Sequence, residues 1–517
     1  MRGGPEDGRG NRLKVRVAFL LHTHMPYVRR NGDWPVGEEW LLEAWAETYL
    51  PLLETLRRMA EEGWGKLAVT LTPILAEQLE DPYMQEMFQR YLENKLRQCE
   101  EERVRLERMG DGPRRRVNRL YFSFYDRLLE CWGSRYRGRM RRALRGLSDT
   151  GRLEVLASAA THAFLPLLAS GADRERQVRL GLRHHREWFG EGPCGFWLPE
   201  LAWSEGMGEL AGLLGREAGY VVLNFSVLPP SADTSRPCRL EEEGPPAILR
   251  DRLLHDLVWT WEGIPSHAPY REFHKRDLEG YGFQYWRISG PGVPLDGKET
   301  YRREEALARV EEDASLFVER LAERAASLPR PEGSLLLAAY DTEIFGHWWF
   351  EGMRWLEAVL RRLEDHPLLE LTTPGEFIGG AGGEGLPAVR PPATSWGRNH
   401  DFSTWLCPQT EGFWSELRTR EAAYREAASL CGRVPAGERA LRQALRELLL
   451  LEASDWPYMM GQGEGGPYAR ERFQGHCERF DHCLRLAREG REDGCLAHIE
   501  EQDNPFRLPD GVAAIFQ

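Results

Sequence analysis

Several features are missing from this sequence, and each absence narrows what the chain can be. No stretch of its 517 residues approaches the roughly 20 consecutive apolar residues that cross a bilayer. The first apolar run, Val15 to Leu21, is too short for a secretion signal with a cleavage site and reads as a first strand. A cytoplasmic location is expected. There is no basic excess: 68 Lys and Arg face 81 Asp and Glu, a formal net charge of -13, which argues against a dedicated nucleic-acid binder. The one basic segment, "GPRRRVNR" followed by "RYRGRMRRALR", has no interleaved aromatic platform and reads as solvated helix faces. The nine cysteines are odd in number and scattered, so a disulfide framework is not expected. With no disordered bias either, the chain is a folded soluble protein long enough for two or three domains.

What is present is an alternation. The β-rich runs "KVRVAFLLH", "KLAVTLTP", "RLEVLASA", "CGFWLPE", "YVVLNF", "FQYWRIS" and "SLLLAAYD" are separated by segments with apolar residues at helical spacing. Strand and helix repeated about seven times predict a parallel sheet covered by helices, most economically a closed α/β barrel. Residues 1–12 are expected as a disordered tail and 13–380 as the barrel, with a helical insertion over about 81–150. The Gly- and Pro-rich stretch 381–397 predicts a linker, and 398–517 a helical carboxyl-terminal domain.

Chemistry-bearing residues gather where the apolar runs end, which is where β/α barrels build their sites. In "LLHTHMPYV", His22 and His24 are two apart on a strand and face the same way. Together with His162 and Asp341 they could hold zinc as in one class of barrel hydrolases; two histidines hydrogen-bonded in a polar pocket satisfy the same pattern. Glu200 ends the run "CGFWLPE", and Asp341 ends "SLLLAAYD", with Glu343 and Glu351 just beyond. Two strand-end carboxylates suit glycoside hydrolysis, in which one attacks and the other moves a proton; rim salt bridges are the plainer alternative. The 18 tryptophans include Trp40, Trp286, Trp396, Trp405 and Trp456, which stand outside apolar stripes and suit sugar faces. His476, Cys477, His482 and Cys483 recur at near-helical spacing, as a metal site or as a helix face with buried cysteines.

These motifs together resemble glycoside hydrolase family 57, particularly its α-glucan branching-enzyme and amylase-like members. The resemblance runs from about residue 14 to 490. "HTHMPYV", "GRLEVLASAATHAFLPLL", "GFWLPELAW" and "AYDTEIFGHWWFEG" follow the family's first four regions in order, and "TTPGEFI" follows the fifth loosely. "TSWGRNHDFSTWL" and "EASDWPYMM" are similar to segments of the branching-enzyme group. The resemblance implies a distorted TIM-like (β/α)7 barrel with a helical insertion and a carboxyl-terminal all-helical domain. It implies a retaining enzyme without metal or other cofactor, acting on an α-glucan such as amylose, glycogen or a maltooligosaccharide, as a monomer or small homo-oligomer. Glu200 is then the nucleophile and Asp341 the general acid/base, with carboxyl groups roughly 5–5.5 Å apart. It also implies a substrate-binding set of His22, His24, Trp40, His162, Arg250, Trp286, Trp396, Trp405 and Asp455, with His347 beside Asp341 as a residue that tunes it.

Three departures mark this chain within that pattern. Leu201 follows Glu200 where the family usually has Cys. "RNHD" follows Trp396-Gly397 where the branching group tends to be Gly-rich. Ile264-Pro265-Ser266 stands in the loop over the site where that group carries Tyr-Pro-Gly. That tyrosine is associated with shielding the intermediate from water, so Ile264 tilts the expectation toward hydrolysis. Branching is expected nonetheless, with amylase-type hydrolysis or 4-α-glucan transfer as alternatives, then the metal hydrolase and a non-catalytic glucan-binding protein.

Overall fold

The apolar runs become strands buried on both faces. A computed structural model describes residues 14–32, 36–383, 385–431, 437–463 and 465–508, and the expected tail over 1–12 lies outside them. Its strands are β1 (Val15–Thr23), β2 (Leu67–Leu71), β3 (Leu153–Ser158), β4 (Gly195–Trp197), β5 (Tyr220–Leu223), β6 (Cys238–Leu240), β7 (Pro246–Leu249), β8 (Leu335–Asp341), β9 (Leu369–Leu371) and β10 (Ala388–Val389). β1 pairs in parallel with β2, β8 and β9, and the parallel ladder continues from β2 through β3 and β4 to β5 and β7. A parallel bridge between Arg250 and Leu337 joins the end of β7 to β8, and the Asp251 N–H donates to the Leu337 carbonyl at 2.9 Å. Seven strands thus surround one interior, and the single bridge between β7 and β8 is where the barrel is distorted. β6 runs antiparallel to β7 and carries β10 on its far side.

The strand period of two divides the side chains between two cores. On β1, Val17, Phe19 and Leu21 face the surrounding helices, while Ala18 and Leu20 face the interior with Leu156, Trp197, Val222, Ile248, Leu337 and Ala339. One inward step further along each strand the row turns polar. His22 follows Leu20, Thr70 follows Ala68, Asn224 follows Val222, Arg250 follows Ile248 and Asp341 follows Ala339. The barrel is therefore a packed hydrocarbon plug with a polar mouth.

One expected strand is absent. "FQYWRIS" forms only the bridges Arg271–Arg287 and Trp286–Thr300, and the seventh barrel strand is instead β7, "PAIL". Between β2 and β3 the chain runs through the antiparallel helices Pro82–Arg108 and Gly112–Cys131, each with proline in its first turn. Asp81 and Asp111 cap them by accepting the Met84 and Arg114 N–H groups at 3.0 and 2.9 Å. The stretch expected as a linker is threaded into the fold: β10 pairs with β6, and Thr394 bridges Trp203.

Among the described residues the α-helices that follow are Glu411–Cys431, Glu438–Leu451, Asp455–Gln462, Gly466–Glu489 and Gly494–Gln502. Their apolar faces share one core with the outer side of β3 to β5. Arg176, fully buried on the barrel helix Gly171–Phe189, joins Asp173 (2.9 Å) to Glu452 beyond the second of these helices. His476 is buried against Glu447 at 2.7 Å and Arg472 at 2.9 Å, whereas His482 pairs with Asp493 at 3.2 Å. The four His and Cys of "GHCERFDHC" therefore do not converge, and Cys477 and Cys483 are buried in the helical core.

Candidate active site

Glu200 stands three residues beyond β4, in a turn no ordinary residue adopts cheaply. Its φ of 59° and that of Leu201, 47°, lie in the left-handed region, at a cost on the order of 1–3 kcal/mol each. The surroundings hold that turn. Leu201 is fully buried in the barrel interior, and the Trp396 N–H donates to the Glu200 carbonyl at 2.9 Å. The carboxylate then receives two more donors: Trp396 Nε1 to Oε2 at 2.7 Å and Ser454 Oγ to Oε1 at 2.8 Å. Burial pushes the Glu200 pKa up to about 7, against the pull of these two hydrogen bonds.

Asp341, the last residue of β8, has no hydrogen-bond donor to its carboxylate among the described residues. Burial raises its pKa well above the usual range, and the negative charges of Glu343 and Glu200 add to that rise; Arg250 opposes it. Glu343 is itself pushed up to about 7 by burial, while the Tyr49 hydroxyl donates to it at 2.5 Å. Arg250 donates Nε–H to Asn224 at 2.7 Å and lies 5.4 Å from the Trp396 ring. Burial lowers its pKa to about 9, which leaves it cationic at neutral pH beside Asp341.

The three histidines form one stack on the Trp197 ring. Ring centroids are 4.5 Å apart for His22 and Trp197, 4.9 Å for His22 and His162, and 4.0 Å for His24 and His162. Burial lowers the pKa of His22 and of His162 well below the ordinary value, and a neighbouring imidazole lowers each further, so both are neutral. Donor counting then fixes a direction. Because Ser454 spends its proton on Glu200, His162 Nδ1–H donates to Ser454 Oγ (2.9 Å). His22 Nε2–H donates to His162 Nε2 (2.9 Å), and the Thr70 hydroxyl donates to His22 Nδ1 (2.6 Å). Every link points toward the Glu200 carboxylate. His24 bonds Thr72 at 2.9 Å and Asp455 at 3.1 Å. Each of the six ring nitrogens has a hydrogen-bond partner, and the three histidines form no group of ligand atoms close enough to share an ion among the described residues.

The structure thus brings together His22, His24, His162, Glu200, Arg250, Asp341, Trp396 and Asp455. Five other expected residues have different surroundings. His347 does not touch Asp341: its backbone N–H donates to Thr48 Oγ1 at 3.0 Å, its ring packs edge-on to Phe273, and Glu343, Glu200 and Arg250 are the charged groups that perturb Asp341. Trp405 is buried at 1% exposure with its ring against Phe164, so it presents no open face. Among the described residues Trp40 and Trp286 have no hydrogen bond or ring contact with the Glu200 group; Trp286 carries the Lys275 ammonium 4.3 Å from its ring. Ile264, expected in a loop over the site, is 2% exposed in the core shared with Val258 and Tyr270. Ser454, Trp197 and Asn224 escaped sequence reasoning. Ser454 is the neighbour of Asp455, and that adjacency was the available signal.

Residues 18–390 match the model of Glycosyl hydrolase family 57, and residues 418–510 match that of the 1,4-alpha-glucan branching enzyme C-terminal region. The chain is 35% identical, over 537 residues, to a 1,4-alpha-glucan branching enzyme of Thermococcus kodakarensis, covering 96% of this chain and 78% of that protein. A GH57-type branching enzyme from Pyrococcus horikoshii superposes with a TM-score of 0.87 at 34% identity, covering 97% of this chain and 99% of that one. The alpha-amylase AmyC of Thermotoga maritima does so with a TM-score of 0.83 at 26% identity, covering 96% and 98%.

Proposed function

The chain belongs to glycosyl hydrolase family 57, and on that premise we propose that it is a retaining 1,4-α-glucan branching enzyme. The observation that carries the retaining mechanism is the contrast between two buried carboxylates at one barrel mouth. Glu200 accepts two hydrogen bonds that favour its charged form, whereas Asp341 accepts none and sits beside negative charge. Environments that push two acids apart assign their roles. Glu200 ionises first and attacks the anomeric carbon of the donor glucan. Asp341 keeps its proton and gives it to the departing glycosidic oxygen.

The second half reverses the proton transfer. Asp341, now ionised, takes the proton of an incoming hydroxyl as that oxygen displaces Glu200 from the sugar. A 6-hydroxyl of another glucan gives an α-1,6 branch, and water gives hydrolysis. Arg250, cationic beside Asp341, stabilises the ionised state between the two halves. His22 and His162, both neutral, line the mouth without adding a charge that would compete for Glu200.

Branching over hydrolysis is supported by the match of residues 418–510 to the branching-enzyme carboxyl-terminal region, because this part supplies Ser454 and Asp455 to the site. Hydrolysis is the second reading, favoured by Ile264, which is packed into the core and offers no hydroxyl over the site. Incubation with amylose separates the two. Branching predicts falling iodine colour with new α-1,6 linkages and little growth of reducing ends. Reducing ends that rise in step with the loss of colour would establish hydrolysis instead.

A further inference from the structure

A cavity of about 380 Å³ opens on the flank of the barrel, and none of the side chains around Glu200 and Asp341 lines it. It lies between the helix Leu50–Glu62, the inserted helix Gly112–Cys131, and the first turns of the helices Arg303–Ala326 and Gly352–Glu364. That volume is in the range of small-molecule sites. Its lining is unusual for a surface cleft of an acidic protein, because five arginines converge there: Arg58, Arg127, Arg135, Arg303 and Arg354.

The acids in the same lining neutralise only one of them, Arg135, which pairs with Glu54 at 3.4 Å. Glu47 is held by Arg271 at 2.8 Å, Glu54 by Tyr136 at 2.6 Å and Arg57 at 3.2 Å, and Glu351 by the Arg271 N–H and the Tyr301 hydroxyl. Glu130 stands exposed at the rim. Arg58 and Arg354 share one carboxylate, Glu357, at 2.7 and 3.5 Å, and Arg361 draws on it as well at 3.3 Å. Arg127 and Arg303 have no acidic partner and no hydrogen bond among the described residues. Partial desolvation and the like charges of Arg58, Arg303 and Arg127 hold the Arg354 guanidinium below its ordinary pKa. Two guanidinium groups left without a counter-charge in one cleft, Arg127 and Arg303, are what an anion relieves.

One wall of the cavity is apolar. Phe124 and Phe350 meet there edge to face at 5.5 Å, with Leu120 and Leu307 beside them. Two helix starts add to the positive field, since the helices beginning at Arg303 and Gly352 carry no side-chain cap.

We propose that this cavity is a binding site for a small phosphate-bearing molecule, its phosphate among Arg127, Arg303 and Arg354 and its ring against Phe124 and Phe350. The inference does not depend on the branching assignment. Adenosine monophosphate is a suitable probe, titrated calorimetrically into the full-length protein at constant ionic strength, with inorganic phosphate as competitor. Saturable binding is expected, displaced by phosphate and, more weakly, by adenosine. The double variant Arg127→Glu/Arg303→Glu should weaken it by about tenfold or more while leaving turnover of amylose unchanged. Arg127→Ala/Arg303→Ala, a milder change, should weaken it in the same direction. Absence of saturable binding to the wild type would overturn the proposal, as would failure of phosphate to compete. So would undiminished affinity in either folded double variant.

Discussion

Ser454 Oγ donates a hydrogen bond to Glu200 Oε1 at 2.8 Å, although the two residues lie 254 positions apart in the chain. One belongs to the carboxyl-terminal helical region and the other to the fourth strand end of the barrel. The helices are thus part of the site and not an appendage to it. The bridge between Ala163 and Ala453 and the Ser454 N–H to the His162 carbonyl at 3.1 Å fix the same junction from the backbone side.

That contact sets the acid side of the pH profile. Activity requires Glu200 ionised, so it falls as pH drops through the Glu200 pKa of about 7. Ser454→Ala or Trp396→Phe removes a donor that favours the carboxylate. A hydrogen bond to a charged group contributes about 1.5–3 kcal/mol, so the acid limb of kcat/KM should move up by roughly one to two pH units. An unchanged acid limb in both variants would separate it from Glu200.

The alkaline side belongs to Asp341, which must hold its proton. Glu343 raises the Asp341 pKa by its negative charge, so Glu343→Gln lowers it. The alkaline limb of the profile should shift to lower pH, while the acid limb moves less. Kinetics of this variant across the alkaline range check the direction, and a shift to higher pH would contradict it.

Gly346, inside "EIFGHWW", has φ 137°, and a Cβ there would sit 1.9 Å from the Glu47 carbonyl oxygen. Gly346→Ala is both strained and overpacked, and should cost about 2–4 kcal/mol. The neighbouring His347 N–H to Thr48 bond would be disturbed with it. Urea denaturation should show a lowered midpoint at an unchanged slope.

Stability should also fall with rising pH through a buried acid away from the site. Glu421 is fully buried beside Glu452 and Asp173, and burial first, then those charges, push its pKa to about 8. A carboxyl raised this way favours the folded state at pH below its unfolded pKa, and that contribution is lost as pH climbs through the folded value. Glu421→Gln should therefore gain about 1–3 kcal/mol over the wild type at pH 9 and little or nothing at pH 5. Denaturation at the two pH values gives the comparison.

Much of the site was legible because strand period and strand ends are local properties. His22 and His24 share a face by spacing alone, and Asp341 ends an unbroken apolar run, so both could be placed without a structure. Other features needed tertiary information. β7 is four residues long and opens with proline, while "FQYWRIS" has better β-forming residues but no edge to pair with. Trp405 and Trp396 look alike in sequence, both near glycine and polar residues. Only packing against Phe164 buries one, while the indole of the other reaches Glu200. Ser454 bears no signal of its own, since a serine ahead of an Asp-Trp helix start reads as ordinary helix entry. The arginines of the flank cavity come from four helices and from the turn Trp132–Tyr136 that follows one of them, and nothing in the sequence brings them together.

The assignment of Glu200 and Asp341 is tested most directly by azide rescue of their alanine variants on an α-maltosyl fluoride, with the anomer of the product read by nuclear magnetic resonance. The fluoride leaves without a proton, so only the attacking group is at issue. In Glu200→Ala, azide takes the place of the missing carboxylate, and the β-maltosyl azide is expected. In Asp341→Ala, Glu200 still forms the glycosyl-enzyme and azide displaces it, and the α-maltosyl azide is expected. The opposite pairing of anomers, or full activity of either variant on amylose without azide, would contradict the account.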